Sequence, residues 1–386
     1  MIQAARMRSA AIALVAAALC SAQTPLTPPA NEIVANFRAY RAALEAGDLA
    51  AADVSGAAAL AASAARDGDG GRTGILALNL ANVRLERGMW REAEAPARQA
   101  LRIAEQSASA GVDPLIARLA IGRIEINADA EGAGERLAAA LQNSEGRDDL
   151  AEYAYPAALT LGDWASRERR RLDFAVAGWR AAVEHAVGAR GDSQVARASA
   201  LSTLGATLVV RVLFAAPGRD GNRDDIRLAI ASLADAREII RPIMEREANT
   251  DAALTPAQRV HANTLAWLGF IRAYGQSDMR ADWRGLDLPG LTSVTCGYQL
   301  NMLTRPRYPY PAYSDLPVGT AVVRLRLDER GQVLGRSVVA GVPDEHFTDA
   351  VSRVVDSWSI TRDVALSNQP CRDRNVFVTV VFALRD

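Results

Sequence analysis

Lysine is missing from the whole chain, so all 44 basic side chains are arginines. They are balanced by 45 acidic residues, which leaves a formal net charge of −1. A chain without an excess of positive charge lacks the electrostatic footprint of nucleic-acid binding. We therefore expect no nucleic-acid partner.

Histidine is scarce, and the signatures of catalysis are absent. His185, His261 and His346 lie far apart, and none has a neighbour at a metal-ligand spacing. There is no Gly-x-Ser-x-Gly elbow, no phosphate-binding loop and no dinucleotide-binding glycine pattern. We predict a protein that is not an enzyme and needs no metal or cofactor, with His185 at the surface or in a groove. An enzyme with an unrecognised site is the alternative.

Aromatic residues make up only 5% of the chain, whereas hydrophobic residues make up 49%, because alanine supplies much of the apolar total. Alanine is the strongest helix former. We therefore expect helices across the first two-thirds of the chain, and 386 residues leave room for two domains.

The N-terminus has the pattern of a signal peptide. Arg6 and Arg8 precede an apolar run of eleven residues from Ala10 to Cys20, and a small-residue cleavage site ends at Ala22. That run is shorter than the roughly 20 residues that span a bilayer. We predict cleavage after Ala22 and export to the periplasm. The alternatives are a lipid on Cys20 or an uncleaved anchor facing the periplasm, and only these would bring membrane contact.

Two cysteines, Cys296 and Cys371, would remain after the signal is removed. An even pair in an exported protein favours a disulfide. Such a bridge would close a loop of some 75 residues and stabilise the fold by roughly 4 kcal/mol, less any strain. Two independent buried thiols are the alternative.

The C-terminal region has the chain's clearest strand pattern. Gly319 to Leu327 alternates apolar and polar residues, a turn with Gly331 follows, and Gln332 to Ala340 forms a second extended run. A helical spacing connects Phe347, Ala350, Val351, Val354, Val355 and Trp358. The segment from Val376 to Leu384 is rich in β-branched and aromatic residues, which predicts a last strand.

These features together resemble the C-terminal domain of the TonB family. The resemblance rests on Pro306-Arg307-Tyr308-Pro309, the alternation from Gly319 to Val333, and Phe347 and Trp358, and it covers roughly Pro306 to Leu384. It implies a small α+β (ββαβ) domain with a three-stranded antiparallel sheet, a helix packed across it and the last strand at the sheet edge.

An edge strand of that kind can pair with a strand of a partner, such as a segment of an outer-membrane receptor. The candidate peptide-binding residues are Val376, Val378, Thr379, Val380 and Phe382. The competing interpretation is that residues 291–303 of the same chain already cover this edge.

The region before this module contains internal repeats. Gly47-Asp48-Leu49 with Ala52 recurs as Gly88-Met89-Trp90 with Ala93, and the matching alanines follow at Ala133, Ala175 and Ala229. Small residues at i, i+4 and i+7 let neighbouring helices approach closely, so helix pairs can stack into a solenoid.

The repeats resemble tetratricopeptide repeats in a form longer than the usual one. In such a solenoid the first helix of each pair lines a concave groove, and the repeat phase places Asn79 and Asn82 there. The alternative is that both are ordinary surface amides.

The predicted organisation is a signal peptide (1–22), a short linker (23–30), a tetratricopeptide-like helical domain (31–284), a connector (285–305) and the TonB-like domain (306–386). We expect a periplasmic adaptor that binds a protein or peptide partner. The alternative is a TonB-type energy transducer held in the inner membrane by an uncleaved anchor.

Overall fold

A computed structural model describes residues 28–106, 111–215, 222–246, 253–276, 283, 286, 288, 298–309, 318–328, 332–362 and 375–383. The chain forms two compact units, Met1–Ala196 and Arg197–Asp386. The first unit is helical, and the second combines helices with a small antiparallel sheet at its C-terminal end. The expectation of a helical region followed by a small α+β region is therefore confirmed.

The first unit is built from antiparallel helix pairs. Helices α1 (Pro28–Glu45) and α2 (Leu49–Asp67) form the first pair, and α3 (Gly71–Glu86) and α4 (Trp90–Gln106) the second. Helices α5 (Pro114–Asn127) and α6 (Ala133–Gln142) form the third, and α7 (Ala151–Ala165) and α8 (Leu172–Glu184) the fourth. Each helix packs on its partner, and consecutive pairs also touch, because α2 packs on α3, α4 on α5, and α6 on α7.

The first three pairs share one turn geometry. Gly47, Gly88 and Asp129 each follow a first helix with positive φ, at 72°, 74° and 49° respectively. In each turn, the amide of that residue donates to the carbonyl three residues earlier, and the next amide donates to the carbonyl five residues before it. This arrangement satisfies carbonyls that a helix end otherwise leaves open. Asp129 therefore adopts in the third repeat the positive-φ conformation that glycine adopts in the first two.

The alanines of the predicted repeat lie on second helices and are buried. Ala52, Ala93, Ala175 and Ala229 have no exposed surface, and Ala133 is 1% exposed. Since their side chains end at Cβ, they leave little bulk between packed helices. The repeated alanines in the sequence therefore mark the positions where helices pack closely.

Three long helices follow: α9 (Ser193–Phe214), most of which lies in the second unit, α10 (Asn222–Arg246) and α11 (Pro256–Gln276). Helix α11 starts with a reciprocal cap: the Gln258 amide donates to Thr255 Oγ1, and the Thr255 amide donates to the Gln258 side chain. Within the described residues, only α9 is long and apolar enough to cross a membrane, and 56% of its apolar window is buried. A core helix passes the same test, so this is weak evidence for a span.

Three strands make the principal sheet, in the order β3-β2-β5, with both pairings antiparallel. They are β2 (Val318–Leu327), β3 (Val333–Val342) and β5 (Asn375–Ala383). The two predicted hairpin strands and the predicted last strand are thus present. In the described residues β5 lies beside β2 at one end of the strand order.

Both faces of β2 are buried. Ala321, Val323, Leu325 and Leu327 face a core shared with the C-terminal helix. The other face packs on α11, where Thr320 Oγ1 donates to the Ala266 carbonyl at 2.8 Å. Gly269 allows this approach, because a Cβ there would lie 2.6 Å from Thr379 Cγ2. Helix α11 therefore packs on the sheet as well as on α10.

The helix that follows β3 is shorter than predicted. Helix α12 spans Glu345–Ser352 and is followed by a 3₁₀ turn at Val355–Ser357. From Trp358 the chain is extended as β4 (Trp358–Arg362), which pairs with β1 (Tyr298–Met302). The apolar spacing up to Trp358 correctly identified core residues but not their conformation, because a 3₁₀ turn followed by a strand buries the same side chains.

Candidate functional site

The two predicted groove residues lie on one helix of the first unit. Asn79 and Asn82 are half-buried on α3, and Glu86, four residues after Asn82, shares their face. The Asn79 Nδ2 atom is sealed from solvent and has no hydrogen-bond partner. An unsatisfied buried amide is uncommon in a folded protein. The assignment of Asn79 and Asn82 to a binding groove stays a prediction.

A cluster of polar side chains surrounds the end of that face. It contains Tyr40 from α1, Glu86 from α3, Arg123 from α5, Glu152 and Tyr153 from α7, and Arg190 from the segment after α8. We call these six residues the polar cluster. Its centre is an ion pair in which Arg190 donates to both carboxylate oxygens of Glu86. These hydrogen bonds to Glu86 raise the pKa of Arg190.

Arg123 is the second cation of the polar cluster, and no carboxylate of the described residues pairs with it. Its Nε is sealed from solvent without a hydrogen bond, and the guanidinium pairs with no other residue in the described ranges. Its two Nη atoms keep some contact with solvent. Burial lowers the pKa of Arg123 to about 10, and the charge of Glu86 opposes this shift. The side chain is therefore charged at neutral pH.

Tyr40 flanks the ion pair as a second open donor. The residue is 2% exposed, yet its hydroxyl makes no hydrogen bond to the described part of the chain and is not sealed. Burial raises the pKa of Tyr40, and the nearby charge of Glu86 adds to that shift. The phenol is therefore neutral at ordinary pH and can donate a hydrogen bond.

The acid on α7 completes the polar cluster. Burial raises the pKa of Glu152, whereas the Tyr153 hydroxyl and the charge of Arg190 oppose that shift. Burial also raises the pKa of Tyr153. Burial outweighs both neighbours, so the polar cluster contains the Glu152 carboxylate as an acceptor beside the donors of Tyr40 and Arg123.

His185 is buried, which corrects the prediction of a surface or groove position. It is 1% exposed and begins a short 3₁₀ segment after α8. Its Nε2 lies 3.0 Å from Ser144 Oγ, which itself donates to the Leu141 carbonyl. Since the Ser144 hydrogen is already used, Nε2 carries the proton and Nδ1, which has no partner, is the acceptor. The pair is sealed from substrates and cannot act as a catalytic dyad.

The second unit has its own buried polar layer between α11 and the sheet. His261 is 3% exposed, and neither ring nitrogen has a hydrogen-bond partner. Its ring packs edge-on against Phe377, with the ring centroids 5.1 Å apart. Arg324 is 1% exposed and donates through Nε to Asn375 at 2.8 Å. No group of three or more metal-ligating side chains occurs in the part of the chain that the structure describes.

The predicted peptide-binding strand is at the end of the sheet, but its side chains are used internally. Val376, Val378, Val380 and Phe382 belong to the core that faces α12. Thr379 is half-buried on the face toward α11. Strand β1 pairs with β4, so residues 298–302 of the proposed cover do not lie along β5. Strand pairing of β5 with a partner stays a prediction.

Other predicted features lie outside the described residues. These are Cys296 and Cys371 of the proposed disulfide, the signal peptide with Cys20, and residues 291–297 of the proposed cover.

Sequence reasoning found Asn79 and Asn82 but missed the six residues of the polar cluster. One signal was present for Arg123, which lies 41 residues after Asn82, as Asp129 lies 41 residues after Gly88. The repeat phase therefore puts Arg123 and Asn82 at the same position of successive first helices. No comparable signal exists for Arg190, because it lies in a segment between helices.

Comparison with known proteins gives no further identification. The sequence matches no protein-family model, and the searches of curated proteins and of solved structures also find no match.

Proposed function

We propose that this protein is a non-enzymatic interaction protein of the periplasm, in which a tetratricopeptide-like solenoid recognises one partner and a TonB-like module engages another. Antiparallel helix pairs with a common turn at Gly47, Gly88 and Asp129 support the solenoid. The signal-peptide pattern of the sequence supports export. The strand order β3-β2-β5 with α12 across it supports the TonB-like module.

One observation carries the proposal. The first helices α1, α3 and α5 present donors for which the described residues offer no acceptor: the Tyr40 hydroxyl, the Asn79 amide and the Arg123 guanidinium. Leaving a buried donor unsatisfied costs about 1–3 kcal/mol. Two of these groups, Asn79 Nδ2 and Arg123 Nε, are sealed from solvent without an acceptor, which favours a first-helix surface that is completed by a bound partner.

The second partner is proposed from the TonB-like module. Its family resemblance points to a strand segment of an outer-membrane receptor, and β5 at the end of the sheet order is the element that would meet it. Because the side chains of β5 are buried, the partner strand would be recognised through main-chain hydrogen bonds.

Site-specific photo-crosslinking in the native host tests the solenoid part of the proposal. A benzophenone amino acid at Asn82 should give a discrete adduct with a partner. The same group at Val54, which is 74% exposed on the second helix α2, is the matched control and should give none. Equal labelling from both positions, or no adduct from Asn82, would contradict the proposal.

The compartment is tested by mass spectrometry of the mature N-terminus. A chain that starts at Gln23 supports a free periplasmic protein. An intact Met1 would instead support the membrane-anchored transducer, and a lipid-modified Cys20 a lipoprotein.

A further inference from the structure

Helix α11 lies on one face of the principal sheet. The ring of His261 packs edge-on against Phe377 of β5, with the ring centroids 5.1 Å apart. Farther along the helix, the Ala266 carbonyl accepts a hydrogen bond from Thr320 Oγ1 of β2 at 2.8 Å, and Gly269 lets the helix backbone come close to both strands. The helix therefore crosses β2 and β5, and His261 makes the most N-terminal of these contacts.

His261 is buried in this interface without hydrogen bonds. Its side chain is in a residue that is 3% exposed, and neither ring nitrogen has a partner among the described residues. A neutral imidazole carries one donor and one acceptor, so both are left unsatisfied here. Proton uptake would turn the acceptor into a second donor and would add a charge that has lost its water. The packed interface therefore requires the neutral ring.

The elements that pack around His261 offer no counter-ion for a protonated ring. Helix α11, the strands β2, β3 and β5, and helix α9, where Ser202 accepts from Thr264 of α11, contain no aspartate or glutamate. The charged side chains of these five elements are Arg197, Arg211, Arg259, Arg272, Arg324, Arg326 and Arg336.

Helix α10, which also packs on α11, adds a positive charge near the ring. Burial lowers the pKa of His261 to about 4, and the charge of Arg237 on α10 adds to that shift. The acids of α10 closest to Arg237 in sequence are Asp235 and Glu238, both exposed, and Glu238 pairs with Arg241. Desolvation and the neighbouring charges therefore act in the same direction on His261.

We propose that His261 is a pH-sensitive switch at the interface between α11 and the sheet: when the ring takes up a proton, α11 separates from β2 and β5. Water then reaches the charged ring, which the packed interface excludes. The inference goes beyond the proposed function, because it concerns the second unit alone and does not depend on a partner of the helical repeats.

The sheet has a separate core that should survive this separation. Alternate residues of a strand face opposite sides, so Val322 lies on the α11 side of β2, whereas Val323 faces the core with Phe347 of α12. That core is built from apolar side chains and does not include His261. The three strands therefore stay paired, with α12 in place, when α11 moves.

The pH range follows from linkage. The packed form binds a proton only near pH 4, whereas an exposed histidine binds it near pH 6.5. Acid therefore favours the separated form, and the contribution of the neutral ring to packing is lost as the pH falls from about 6.5 toward 4. Between pH 7 and pH 5 the equilibrium constant for separation should rise about 20-fold.

Thiol trapping in the purified full chain tests the switch. Val322→Cys places a thiol under α11, and Val323→Cys places one on the opposite face of the same strand; both parent side chains are fully buried. Each variant is treated with N-ethylmaleimide at pH 7 and pH 5, and peptide mass spectrometry follows the modification of that position alone. Rates are divided by those of the same peptide free in solution, which removes the effect of pH on the thiol.

We expect the normalised rate at Val322→Cys to rise about 20-fold at pH 5 and the rate at Val323→Cys to stay unchanged. His261→Leu, added to Val322→Cys, keeps an apolar contact with Phe377 and should abolish the rise. Asn263→Leu is the matched control on α11, because Asn263 is exposed; it should leave the rise intact.

Three results would overturn the inference. The rate at Val322→Cys does not rise in acid, the thiols at 322 and 323 respond alike, or the rise persists in His261→Leu. The comparison of the two thiols needs no change at His261, so it decides between a local separation and unfolding of the whole unit even if His261→Leu does not fold.

Discussion

Arg190 donates to both carboxylate oxygens of Glu86, although 104 positions separate the two residues in the sequence. The contact connects the segment after α8 to the last residue of α3. It therefore joins the second and fourth helix pairs of the first unit next to the open guanidinium of Arg123.

Arg190→Gln should lower the free energy of unfolding by about 1 kcal/mol. The pair is bidentate, but its side chains are 31% and 24% exposed, so solvent screens much of the interaction. Urea denaturation measures the change. Arg41→Gln is the control, because Arg41 is 39% exposed and pairs with Glu45 one turn away on the same helix; it should cost less than about 0.5 kcal/mol. Equal effects would show that Arg190 does not hold the helix pairs together.

Gly88 and Asp129 occupy equivalent positions of the shared turn. Adding a Cβ at the first and removing the Cβ at the second should therefore change stability in opposite directions. Gly88→Ala should destabilise by about 1 kcal/mol, because a residue with a Cβ pays for positive φ and nothing lies within 4 Å of the added atom. Asp129→Gly should be neutral or stabilising, since it relieves that cost at φ 49° and loses only two weak contacts of its carboxylate, with Trp164 Nε1 at 3.3 Å and with Arg171 at 3.5 Å. Thermal denaturation of both variants gives the comparison. Destabilisation by Asp129→Gly that matches Gly88→Ala would contradict the shared geometry.

Helices α7 and α8 approach so closely that a methyl group should not fit between them. A Cβ at Gly178 would lie 2.5 Å from the Gly162 amide nitrogen. Glycine to alanine inside a helix ordinarily stabilises by up to about 1 kcal/mol. Here we expect a loss of roughly 3 kcal/mol, because backbone must move to admit the atom. Chemical denaturation of Gly178→Ala decides the sign, and a stabilised variant would refute the close approach.

His261 should make the second unit sensitive to acid. Burial, reinforced by the charge of Arg237, lowers the pKa of His261 to about 4 in the folded protein, compared with about 6.5 in the unfolded chain. The unfolded state therefore binds the proton first, so stability falls as the pH drops from about 6.5 toward 4. By linkage the full loss is on the order of 3 kcal/mol.

The check is the pH dependence of urea denaturation for the wild type and His261→Leu. The variant should lose much of the slope between pH 6.5 and 4. Burial also lowers the pKa of His185, so a smaller slope of the same sign should remain. An unchanged slope in His261→Leu would show that this histidine is not buried in its neutral form.

Local patterns in the sequence were enough to locate many of the helices and three of the strands. The cap at Thr255 and Pro256, the alternation in β2 and the alanine spacing in the repeats are all short-range signals. Strands β1 and β4 were missed, because each has five residues and gains its conformation by pairing with the other across the chain. The burial of both faces of β2 was also missed, since it depends on α11 packing beneath the sheet.

The sequence by itself determined the repeated helix pairs, the small C-terminal sheet and the absence of a recognisable catalytic motif, because periodicity and spacing are properties of neighbouring residues. Only the tertiary structure decided that Arg190 neutralises Glu86 while Arg123 has no partner among the residues that the structure describes. Which charged side chain finds a partner depends on distances in the folded protein, because the electrostatic interaction weakens with distance in space and does not depend on separation along the sequence.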